Sequence, residues 1–144
     1  MSESTESANL ILKLYNLRRE EVMRKARSWF VMEFNPGSAE DIGAAAMGEH
    51  SAYFRMVSSY WDMAASLVVN GAINEQMFND ANGEHIAVFS KIAPFLAQVR
   101  EMSGNPNYMQ HLEKVVTNMP DGAERMTRIR EMLKKIAAGQ AAKA

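Results

Sequence analysis

Few side chains in this 144-residue sequence could do chemistry, and their spacing argues against most of it. Glu49-His50 and Glu84-His85 are adjacent acid–imidazole pairs, and Asp62 and His111 complete the set. Adjacent residues on a helix diverge by about 100°, so each pair reads as two separate contacts rather than one acid–base unit. A di-iron site in a helical bundle needs Glu-x-x-His on two helices. The residues three before His50, His85 and His111 are Met47, Asn82 and Tyr108, so that motif is missing, as is His-Glu-x-x-His. Cysteine is absent, which excludes disulfides, thiolate metal sites and cysteine nucleophiles. No Gly-x-Ser-x-Gly, phosphate-cradling loop or dinucleotide fingerprint occurs. The reading is therefore non-enzymatic, with no catalytic residue, metal ligand or cofactor assigned.

The elements that must position these residues are helical, because apolar residues recur at helical spacing throughout and strand-like alternation is nearly absent. A first helix is expected from about Thr5–Ala8 to Phe34, ended by Asn35-Pro36-Gly37. A second begins after Ser38 as N-cap and runs to about Val69. It carries two adjacent stripes. One runs through Ile42, Ala46, Glu49, Tyr53, Met56, Tyr60, Met63 and Leu67, the other through Met47, His50, Phe54, Val57, Trp61, Ala64 and Val68. Gly71 suits the left-handed position after that helix, and Asn74 caps a third helix that runs to about Met102. Asn82-Gly83 and Pro94 are its weak points, with a kink expected at Pro94. A short fourth helix is expected from Pro106 to Asn118 and a fifth from Ala123 to Ala138.

The predicted fold is thus all-α: one domain over 1–144, a bundle of about five helices. Helices 2 and 3 form its central antiparallel hairpin, two shorter helices follow, and the tails 1–6 and 139–144 are frayed. That hairpin places His85 level with Ser59, Tyr60 and Asp62, and separates it from His50 by about 15 Å, too far to share a metal. His85 is expected to be a buried histidine bonded to helix 2. Glu49 interrupts an apolar stripe and so calls for a charge partner, for which the helix 1–2 turn offers Arg24, with Arg27 as the alternative.

Lys and Arg number 16 against 17 Asp and Glu, so no net field draws the chain to nucleic acid or anionic membrane. The distribution is uneven, with a cluster of Arg125, Arg128, Arg130, Lys134 and Lys135 in helix 5. That helix has no aromatic side chains for stacking bases, so nucleic-acid binding through it is the lowest reading. No apolar run approaches a membrane span and the N-terminus does not read as a signal peptide, so a soluble, cytoplasmic protein is expected. The 12 methionines suit loosely matched helix packing or a groove for a partner helix.

The stretches YWDMAASLVVNGAINEQMFND and FSKIAPFLAQVREMSGNPNYMQHLEKV resemble a family of small helical bacterial proteins catalogued only as a domain of unknown function. Tyr60-Trp61, Asn70-Gly71, Glu75, Ile92-Ala93-Pro94, Arg100 and Gly104-Asn105-Pro106 carry the likeness, which lies over residues 60–116. The chain departs in lacking the pattern's first glycine, with Ala64-Ala65 nearby, and in lacking the membrane anchor of some members. The resemblance implies an all-helical fold and assigns no site. Function is read first as a helical protein–protein interaction module, a homodimer with a further unknown protein partner. The alternative is a small-ligand bundle with its pocket at Tyr53, Tyr60, Trp61 and His85.

Overall fold

The computed structural model describes residues 3–143, and their side chains as far as Gly139. The described chain is helical without strands: α1 (Glu3–Arg18), α2 (Glu21–Ser28), α3 (Ala39–Met47), α4 (Ser51–Val69), α5 (Glu75–Ala81), α6 (Glu84–Ile92), α7 (Leu96–Ser103), α8 (Gln110–Asn118) and α9 (Gly122–Lys143). A π-helical turn, Trp29–Glu33, extends α2, and a 3₁₀ turn, Ala93–Phe95, joins α6 to α7. The all-α class holds, but each of the three long predicted helices is divided.

The first division lies between Arg18 and Glu21. Glu20 acts as an N-cap there, its carboxylate accepting from the amides of Val22 at 3.1 Å and Met23 at 3.0 Å. Glutamate is an unusual cap, and within a run of charged residues it looks like helix interior. The second division falls at Gly48-Glu49-His50, where a Cβ on Gly48 would lie 2.7 Å from the Ala44 carbonyl oxygen. Only glycine fits that close approach. The third predicted helix breaks at Asn82-Gly83 and turns through Pro94, at the two points where its sequence is weakest.

Several caps follow the sequence. Ser38 Oγ accepts from the Asp41 amide at 3.1 Å and Asn74 Oδ1 from the Met77 amide at 2.9 Å. Gly71 has φ +85°. The fourth helix starts later than expected: residues 105–109 form turns, and α8 follows Met109, a buried non-glycine residue at φ 60°. The fifth helix is not short; α9 spans 22 residues. Of the ends expected to fray, 3–6 and 139–143 carry helical backbone, while Met1, Ser2 and Ala144 lie outside the described residues.

The expected central hairpin is also replaced. α4 packs chiefly on α8 and α2, and α6 on α9 and α8, with only a minor direct contact between α4 and α6. The break at Asn82-Gly83 redirects α6, so every residue from His85 to Ile92 is buried. On α4 the second stripe faces the core: Phe54, Val57, Trp61, Ala64 and Val68 are buried, while Met63 of the first is exposed. Burial of each such large apolar side chain contributes about 1.5–3 kcal/mol.

Lys91 of α6 closes the π turn. Its Nζ is buried and donates to the carbonyls of Phe30 (2.8 Å), Val31 (2.7 Å) and Phe34 (2.5 Å). The end of a helix leaves carbonyls without partners, and here one ammonium satisfies three of them. Burial pushes the Lys91 amine down to about 8, against carbonyl acceptors that favour its charged form.

Candidate functional site

The four residues expected to line a ligand pocket are core-packing residues instead. Tyr60, Trp61 and His85 are buried, and Tyr53 is half-buried beside Trp29 and His50. Tyr60 donates through its hydroxyl to the Leu14 carbonyl at 2.5 Å, tying α4 to α1. His85 packs between Trp61 and Phe78, with ring centroids 5.7 and 5.0 Å away. Its bonding partner is not on the second predicted helix: Nε2 meets Asn79 Oδ1 of α5 at 3.0 Å. Taking Asn79 Oδ1 as the acceptor makes Nε2 the protonated nitrogen, and Nδ1 is then a buried acceptor without a partner. Desolvation lowers the His85 pKa to about 4.

The expected Glu49–Arg24 ion pair does not form. Glu49 sits at the break between α3 and α4 with its side chain 89% exposed, and its Oε1 lies 3.9 Å from His50 Nδ1. Once the helix breaks at Gly48, the carboxylate reaches water and its burial no longer has to be offset. Arg24 is likewise exposed. Arg27 instead forms a part-buried ion pair with Glu84: Nε donates to Oε2 at 2.8 Å and Nη2 to Oε1 at 3.0 Å. Glu84 also accepts from Trp61 Nε1 at 3.0 Å, and Arg27 donates to the Arg18 carbonyl at 3.1 Å. The Glu84 carboxylate, with its Coulombic attraction, raises the Arg27 pKa, while burial works against it.

Asp62 and His111, far apart in sequence, come together. Asp62 Oδ1 accepts from the Leu112 amide at 3.0 Å, and Oδ2 lies 3.4 Å from His111 Nδ1. Met109 cannot cap α8 with its side chain, so a carboxylate from α4 supplies the acceptor. Among the described residues no group of three or more His, Asp or Glu side chains could hold a metal ion.

A cavity of about 840 Å³ lies elsewhere, between α3, α4, α7 and the loop entering α8. Ile42, Phe54, Val99, Met102 and Met109 make its apolar wall, and Arg55, Ser58, Asp62 and Tyr108 bring polar groups to it. Burial pushes the Tyr108 phenol up to about 12, a hydrogen bond with Ser58 opposing it. Met47 and Met102 are 86% and 56% exposed at the rim. Sequence reasoning missed this site. Its available signals were the small-residue run Gly43-Ala44-Ala45-Ala46, which leaves space beside α3, and the methionines that border the space.

No helix among the described residues is long and apolar enough to cross a membrane. No curated protein and no solved structure matches the chain. The family of proteins defined by a domain of unknown function, DUF4760, matches residues 4–119, which takes in α1 through α8, both the α3–α4–α7 cavity and the Arg27–Glu84 pair, and the chain belongs to that family.

Proposed function

We propose that the protein is a non-enzymatic binding module whose α3–α4–α7 cavity takes a compact, mainly apolar small molecule. The cavity carries this reading: its volume of about 840 Å³ falls within the span of roughly 300–1,000 Å³ usual for small-molecule sites, and a few polar groups converge on apolar walls. Those polar groups are engaged in holding the fold. Ser58 Oγ donates to the Phe54 carbonyl at 2.8 Å, and Asp62 caps α8. They can orient a guest by hydrogen bonding while remaining poorly placed to attack it. The methionine rim suits guests of variable shape. Titration with the neutral dye Nile red tests the reading. Saturable binding to the full chain is expected, weakened about tenfold by Ala46→Phe, which fills the cavity, with little change in melting temperature. Absence of saturable binding, or binding indifferent to Ala46→Phe, would refute it.

A second reading, self-association, is supported by α1 and the start of α2. Leu12, Tyr15, Leu17 and Val22 are 61%, 45%, 58% and 46% exposed. Large apolar side chains left exposed on α1 and α2 suit burial against a second copy. Light scattering is expected to show a dimer at micromolar concentration that Leu12→Ser/Leu17→Ser dissociates; a monomer in the unsubstituted protein would rule it out.

A further inference from the structure

Lys91 of α6 and Arg130 and Lys134 of α9 line a second cavity, of about 470 Å³, together with residues 35–37, which follow the π turn. Its apolar wall includes Phe95 and Leu133, and no carboxylate lines it. Among the described residues none of the three cations forms an ion pair. Asp41, close to the cavity edge, accepts instead from the Gly37 amide at 2.8 Å. Three positive charges around one recess repel each other, and low-dielectric walls strengthen the field they project into it.

The cations differ in what they can offer. Lys91 gives its protons to the π-turn carbonyls, so it acts as a fixed charge behind the cavity wall. Arg130 is anchored through Nε to the Ser90 carbonyl at 3.1 Å, which holds its planar fork beside Lys91. Its terminal nitrogens remain for a planar or tetrahedral oxyanion, the geometry a guanidinium matches best. Lys134 is exposed at the mouth and can close over the charge.

We propose that this cavity binds a small organic oxyanion, a phosphate monoester or carboxylate borne on a flat apolar body. The anionic group meets Arg130 and Lys134 in the field of Lys91, and the apolar body lies along Phe95 and Leu133. The site is separate from the α3–α4–α7 cavity, and Nile red binding there reports independently of it.

Calorimetric titration of the full chain with phenyl phosphate, benzoate and phenol tests the proposal. Saturable binding of phenyl phosphate or benzoate is expected, and the tighter of the two identifies the oxyanion. Phenol should not bind. Arg130→Gln and Lys134→Gln should each weaken the anion about tenfold, equivalent to about 1.4 kcal/mol, without lowering the helical signal. Lys91 is left intact because it closes the π turn. Failure of both anions to saturate at millimolar concentration, or affinity unchanged in Arg130→Gln, would overturn the proposal. So would binding of an RNA or DNA fragment in place of both small anions, since that would put the useful charge on the outer face of α9.

Discussion

Asp62 on α4 caps α8 from outside the helix, its Oδ1 accepting the Leu112 amide proton at 3.0 Å across a separation of 50 residues. Asp62→Ala is expected to cost about 1 kcal/mol, as for other lost caps. Asp62→Asn keeps an oxygen acceptor and should cost less. Urea denaturation of the two variants decides the point: equal losses would show that the carboxylate charge, not the acceptor, holds α8.

Glu84 joins Arg27 to Trp61. Removing it leaves a partly buried guanidinium and an indole N–H without their acceptor, so Glu84→Ala should destabilise by about 2–3 kcal/mol. Arg27→Ala/Glu84→Ala should cost less than the sum of its single variants, because the charge stranded by either change is gone. A double-mutant cycle by denaturation measures this, and additive losses would mean the pair is not coupled.

His85 makes stability depend on pH in the acid range. The native imidazole stays neutral down to about 4, whereas the unfolded one takes a proton near 6.5. Below 6.5 the unfolded state binds more protons, so stability falls as pH drops from 6.5 and the contribution levels off below about 4. The full contribution is about 3 kcal/mol. Denaturation midpoints of the native chain and His85→Gln, measured from pH 7 to 4, should diverge, with the shallower slope in the variant. Parallel curves would assign the acid sensitivity to other groups.

Lys91→Met removes the donor that three carbonyls share and is expected to cost about 3 kcal/mol. The loss should be local as well as global. The Phe34 amide, which closes the π turn on the Trp29 carbonyl at 2.9 Å, should exchange faster in the variant. Unchanged exchange there would show that the turn holds itself together without the ammonium.

Local chemistry made the helical class, the caps at Ser38 and Asn74, the turn at Gly71 and the weakness at Asn82-Gly83 and Pro94 legible in the sequence, because each depends on residues within a few positions. The family was legible too, through turn, cap and packing residues between 60 and 116. Periodicity could not show where the long helices divide, since Glu20 looks like helix interior until its carboxylate is seen to cap, and Gly48 until its backbone meets Ala44. The misplacement of the pocket and of the Glu49 partner followed directly, because height arithmetic assumes straight helices. Tyr60, Trp61 and His85 carry polar atoms that could face a guest or each other, and no sequence rule distinguishes the two. The choice was made by tertiary packing, which turned α6 into the core, gave Glu84 to Arg27, gave Lys91 to the π turn, and left open space beside Gly43 and Ala46. These are contacts between residues far apart in the chain, and their geometry exists only once the helices are docked.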